Sequence, residues 1–72
     1  MMITENSYKI LQYLKEHGAA TAIEISEAIG IQKRLVDSYF SAGLIKNGLG
    51  ERDLSITPAI LTLTDAGLAY TQ

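Results

Sequence analysis

The sequence predicts a mainly α domain with a small β-hairpin: a three-helix core, then two strands, then a short C-terminal helix. Three observations predict it. Apolar residues recur at three- and four-residue steps through the first half of the chain. Glycines at 18 and 30 and a Thr-x-x-Glu start at 21 divide that half into helical segments. Beyond a stretch holding the single proline, apolar residues alternate at 61 and 63, as in a strand.

Each element has its own warrant. Ile3, Ser7, Ile10, Leu11 and Leu14 share one helical stripe, while Glu5, Lys9, Gln12, Lys15 and Glu16 fall elsewhere, so the first helix covers residues 5–17. Gly18 stops it, and His17 at its C-terminus complements the helix dipole. Thr21-Ala22-Ile23-Glu24 has capping-box spacing and opens a second helix over 22–29, with Ile25, Ala28 and Ile29 toward the core and Gly30 after its end. Leu35, Val36, Tyr39, Phe40 and Gly43 then set the third helix at 32–42. Tyr39 and Phe40 are adjacent, so one narrow stripe does not bury both.

Residues 44–46, Leu-Ile-Lys, are expected to form the first hairpin strand, and residues 60–64 the second. The stretch between them, "NGLGERDLSITPA", is expected to be a long polar loop with Gly48-Leu49-Gly50 at its tip. A last short helix starts after Thr64, whose hydroxyl caps it, and frays toward Gln72. Tyr8, Tyr13 and Tyr70 either form a small aromatic interface or pack the two ends of the chain together.

Size and composition narrow the function. Seventy-two residues are read as a single domain over 1–72, able to bury about 60% of the surface its unfolded chain exposes. There is no cysteine, so no disulfide or cysteine metal site staples the fold. No apolar run approaches a membrane span and the N-terminus has no signal-like pattern, so a cytoplasmic protein without membrane contact is expected. No cofactor or metal is implied, and no cluster of catalytic residue types suggests an enzyme.

Charge is unevenly placed. The chain has formal net charge −2, yet residues 31–52 hold Lys33, Arg34, Lys46 and Arg52 against only Asp37 and Glu51. Gln32, Lys33 and Arg34 open the third helix as a polar, basic triplet. Their side chains suit adenine, guanine and phosphate. As an ordinary solvated face, the same stretch gives only a Lys33–Asp37 pair at i,i+4. Ser38 and Ser41 either touch phosphates or fill a polar face. Thr21 is a cap first, beside amides that a phosphate can reach.

Two motifs give the order of elements a family likeness. "RLVDSYFSAGLIKN" resembles the recognition-helix end and wing entry of MarR-type transcriptional regulators, and "LTLTDAG" resembles the exit from their second wing strand. "TAIEISEAIGI" is similar to the scaffold helix of many such domains, and together the likeness covers most of residues 7–70. It implies a winged helix-turn-helix, with a three-helix core, a two-stranded wing and a short C-terminal helix. Its function would be DNA binding by a small transcriptional regulator, with the third helix in the major groove and the wing on the backbone. The residues implied in contact are Gln32, Lys33, Arg34, Ser38, Ser41 and Thr21, with Lys46, Asn47 and Arg52 positioning the wing. Double-stranded DNA is the expected partner, with a homodimer or a protein partner as alternatives. The competing function is a winged-helix protein-interaction module that does not touch nucleic acid.

The likeness has departures. Gly30 and Gly43 are 13 positions apart, about four fewer than in the family, which implies a recognition helix about one turn shorter. The family's long dimerisation helices have no counterpart, and Lys46 and Arg52 are fewer wing cations than is usual there.

Overall fold

A computed structural model describes residues 2–72. Helix α1 spans Glu5–His17, as its apolar stripe predicts. Thr4 caps it by accepting the Ser7 amide at 3.2 Å, and the Gly18 amide closes it on the Leu14 carbonyl at 2.8 Å. Ser7, Ile10, Leu11 and Leu14 form its buried face.

A two-residue strand, β1 (Ala20–Thr21), precedes α2 (Ala22–Ile29). The capping box is complete: the Glu24 amide donates to Thr21 Oγ1 at 3.2 Å and the Thr21 amide to Glu24 Oε1 at 2.9 Å. Ile25 is buried as expected, whereas Ala28 is exposed and Ala22 takes the second core position. The box fixes where the helix starts, and this start turns Ala22 and Ile25, three apart, toward α1.

The third helix departs from expectation at its end. Helix α3 covers Lys33–Tyr39 and runs directly into a wider π-helical turn, Phe40–Ile45, whose last bond joins the Lys46 amide to the Ser41 carbonyl at 3.0 Å. Residues 44–46 are therefore helical, and the expected strand there is absent. The reason is Gly43. It does not stop the helix, so the third helix is not shortened as its Gly30–Gly43 spacing implied; instead it lets α1 approach, since a Cβ at 43 would meet Ser7 Oγ at 2.2 Å. Leu44, one residue on, is fully buried beside Phe40 and Val36.

The first long strand lies inside the expected loop. Strand β2 (Gly50–Asp53) pairs antiparallel with β3 (Ile60–Leu63), with Gly50 opposite Leu63 and Arg52 opposite Leu61. β1 pairs with the other edge of β3, Ala20 opposite Leu61, giving the order β1-β3-β2. Gly48-Leu49-Gly50 is consequently no loop tip. Gly48 turns the chain at φ +74, Leu49 is buried in the core, and Gly50 begins the strand against the Phe40 ring. The hairpin tip lies instead at residues 54–59.

Helix α4 (Asp65–Ala69) is capped by Thr64, whose Oγ1 accepts the Gly67 amide at 3.1 Å. The following residues are tied down rather than frayed. Gln72 pairs with Ile3, accepting its amide at 3.0 Å and donating to its carbonyl at 3.2 Å, and Tyr8 meets Tyr70 edge-on at 6.1 Å. Tyr8 and Tyr70 thus pack the chain ends together, whereas Tyr13 stacks on His17 instead. One core, built from α1, α2, the third helix, Leu49 and Leu61, holds α3 and the hairpin in fixed relation.

Candidate nucleic-acid interface

Helix α3 presents its first turn to solvent. Gln32 is its N-cap residue, without a side-chain capping bond, and Lys33 and Arg34 follow, all three exposed. Val36 and Phe40 point into the core, which leaves Lys33, Arg34, Asp37, Ser38 and Ser41 along the outer face. Lys33 Nζ lies 3.3 Å from Asp37 Oδ2, the expected i,i+4 pair. Their side chains are 57% and 37% exposed, so the pair contributes only about 0.3–0.5 kcal/mol.

The hairpin closes the other side. Strand β2 alternates, so Arg52 faces α3 while Glu51 and Asp53 face away from it. The guanidinium of Arg52 donates to Ser41 Oγ at 2.9 Å, approaches the Asp37 carbonyl at 3.4 Å, and lies 5.8 Å from the centroid of the Phe40 ring. Asp53 accepts from the Ser55 hydroxyl at 2.6 Å and from the Ser55 amide at 2.9 Å, and these two bonds hold its carboxyl below its ordinary pKa.

Between α3 and the hairpin lies a groove of about 600 Å³, walled by Lys33, Arg34, Asp37, Ser38, Ser41 and Arg52 and floored in part by Ala22, Ile23, Pro58 and Ala59. Three cations face one carboxylate there, so the groove has formal charge +2 in a chain of net charge −2. Five of the nine sequence-predicted site residues meet at it: Lys33, Arg34, Ser38, Ser41 and Arg52.

The other four lie apart from the groove lining. The Thr21 side chain is engaged in its capping box, Gln32 sits just ahead of Lys33, and Lys46 is exposed beyond the π turn. Asn47 donates to the Gly43 carbonyl at 2.8 Å, closing the helical end, and borders a second concavity of about 360 Å³ with Ile3, Ser38, Tyr39 and Ala42. Lys46 and Asn47 belong to the end of the third helix, not to a wing strand, because the strand expected at 44–46 is helical. Sequence reasoning missed Ala22, Ile23, Pro58 and Ala59 in the lining of the groove. Pro58-Ala59, immediately before the alternating 60–63 run, was the available signal for the last two.

His17 stacks on Tyr13 at 4.3 Å with Nδ1 3.1 Å from the Tyr13 carbonyl, and it lines neither concavity. Among the described residues no three His, Cys, Asp or Glu side chains gather as a metal site, and no helix is long and apolar enough to cross a membrane.

No family model matches the chain, and no curated protein matches its sequence. Solved structures do match. A MarR family regulator from Neisseria meningitidis superposes over 94% of this chain and 49% of its own, with TM-score 0.82 and 27% identity. The structure of reduced AbfR bound to DNA matches over 93% of this chain and 50% of its own, with TM-score 0.82 and 26% identity. The chain is a winged helix-turn-helix resembling MarR-type regulators. It spans about half the length of those two proteins. The Zalpha domain of Carassius auratus PKZ, solved with Z-DNA, shares the winged-helix fold over 83% of this chain and 94% of its own, with TM-score 0.78 and 22% identity. In winged-helix terms α2 and α3 are the helix-turn-helix and the β2–β3 hairpin is the wing.

Proposed function

We propose that residues 1–72 act as one winged-helix domain that binds double-stranded DNA, as a small transcriptional regulator. The observation that carries this reading is the groove between α3 and the wing, where the chain concentrates positive charge against its overall sign. Phosphate affinity comes from such local excess of Lys and Arg. Helix α3 enters the major groove, Lys33 and Arg34 meet the backbone at its N-terminal turn, and Gln32 faces base edges. Ser38 contributes a hydroxyl on the same face. The structural neighbours support the reading, since AbfR, 26% identical to this chain, was solved bound to DNA. A single reading helix contacts few base pairs, so a second copy on an adjacent half-site would raise specificity.

The protein-interaction alternative has one observation on its side. Leu54 and Ile56 at the wing tip are 75% and 51% exposed and sit beside Glu51 and Asp53, a surface suited to protein rather than phosphate.

Titration of random duplex DNA by fluorescence anisotropy over a series of salt concentrations separates the two. The DNA reading expects salt-sensitive binding, with a slope of log K against log salt that falls by about 1.8 in the Lys33→Ala/Arg34→Ala variant. Binding that ignores salt, or a double variant that binds as well as wild type, refutes the assignment.

A further inference from the structure

The sequence placed Arg52 among the residues that meet DNA, yet its surroundings describe another task. Its guanidinium is half-buried and already engaged three ways: with Ser41 Oγ at 2.9 Å, with the Asp37 carbonyl at 3.4 Å, and over the Phe40 ring at 5.8 Å. These partners lie on α3 and on the π turn, 11 to 15 residues before it in sequence, whereas Arg52 lies on the wing. The contact therefore joins wing to recognition helix across the floor of the groove. Its strand neighbours Glu51 and Asp53 are both exposed carboxylates, and no Lys or Arg follows Arg52 in the chain. A phosphate at the outer face of the wing would meet those acids, and Arg52, on the inner face, would have to leave Ser41 to reach one.

We propose that Arg52 is a positioning residue: it latches the wing to the recognition helix through Ser41 and holds the groove open at one width, while charge contacts to the duplex are confined to Lys33 and Arg34. This rests on the DNA-binding reading above. The wing then contributes shape rather than charge. Ser41, half of the latch, is likewise removed from the set of phosphate contacts.

The salt dependence of binding distinguishes a latch from a phosphate contact, because each phosphate neutralised adds about 0.9 to the slope of log K against log salt. Random duplex DNA is titrated with wild type, Lys33→Ala, Arg34→Ala, Arg52→Gln, Ser41→Ala and the Arg52→Gln/Ser41→Ala pair. Lys33→Ala and Arg34→Ala each lower the slope by about 0.9. Arg52→Gln weakens binding roughly fivefold at every salt concentration with the slope unchanged, the loss of one charge-assisted bond. Ser41→Ala acts in the same sense, and the pair is no weaker than Arg52→Gln alone. A slope lower by about 0.9 in Arg52→Gln overturns the proposal. So does a pair whose losses simply add.

The free protein supplies an independent reading. Amide resonances of residues 37–41 and 50–53 are followed in the absence of DNA. Arg52→Gln and Ser41→Ala are expected to shift a common set of them on both elements. Shifts confined to the immediate neighbours of each substitution overturn the latch even where DNA binding is intact. If wild type fails to bind DNA while the common shifts are present, the latch stands and the DNA reading alone falls.

Discussion

Gly43→Ala tests the close contact between α1 and the π turn. An added Cβ would lie 2.2 Å from Ser7 Oγ and 2.5 Å from Ser7 Cβ, far inside van der Waals separation. Ser7 is only 2% exposed and cannot swing away freely, because its Oγ donates to the Tyr39 carbonyl at 3.0 Å and accepts from Thr4 Oγ1 at 3.1 Å. Overpacking costs about 1–3 kcal/mol. Loss of the Ser7–Tyr39 bond adds about 1 kcal/mol. Against these, alanine stabilises a helical position by about 1 kcal/mol relative to glycine. The net expectation is destabilisation by about 2 kcal/mol, seen in thermal unfolding as a midpoint lower by about 8 to 16 °C for a domain of this size. Ser7→Gly in the same chain removes the obstructing atoms, so the double variant should recover much of the loss, a coupling of about 1 kcal/mol or more. If Gly43→Ala unfolds at or above the wild-type midpoint, helix propensity outweighs the contact and α1 does not approach the π turn this closely.

Other expectations follow from the same geometry. Thr21→Ala removes the capping box and should cost about 1 kcal/mol, about 4–8 °C in the unfolding midpoint; an unchanged midpoint would mean the box contributes nothing. Asp37→Asn raises the groove from +2 to +3 and frees Lys33, so duplex affinity should rise a few-fold at low salt, and a fall would show that the carboxylate itself serves recognition. The Asp53 carboxyl, depressed by its bonds to the Ser55 hydroxyl and amide, contributes stability above its unfolded pKa that disappears as pH falls through its folded pKa. Ser55→Ala should raise the Asp53 pKa toward the ordinary value in an NMR titration of the carboxyl carbon, and no movement would discredit the bond.

Much of the fold was legible because its signals are local. Thr21 and Thr64 lie next to the helices they cap, and the apolar stripe of α1 needs no distant partner to be recognised. What escaped the sequence was decided by contacts between remote segments. Gly43 looked like a helix stop followed by a strand, but its missing side chain answers Ser7, on another helix. β2 carries no apolar alternation at all: Gly-Glu-Arg-Asp pairs with β3 through its backbone, and its inward positions are a glycine set against Phe40 and an arginine stacked over it. β1, two residues long, is a strand only because β3 lies beside it. The site divides in the same way. Lys33, Arg34 and Ser38 were readable from one helix face, whereas the engagement of Arg52 with Ser41 required the fold that brings them together.

The π turn has a consequence for how α3 and the wing are indexed to one another. It accommodates one residue more than an α-helix of the same rise, so side chains on either side of Phe40–Ile45 are out of rotational phase. A helical wheel drawn straight through residues 33–46 would misplace everything after Phe40. Removing one residue from that turn would restore regular i→i+4 bonding and leave Lys33 and Arg34 at nearly the same bearing to β2, whereas one residue added to a regular α-helix would turn them by about 100°. The chain thus keeps the bearing of its recognition face by taking up the extra residue in a wider turn rather than by rotating the helix.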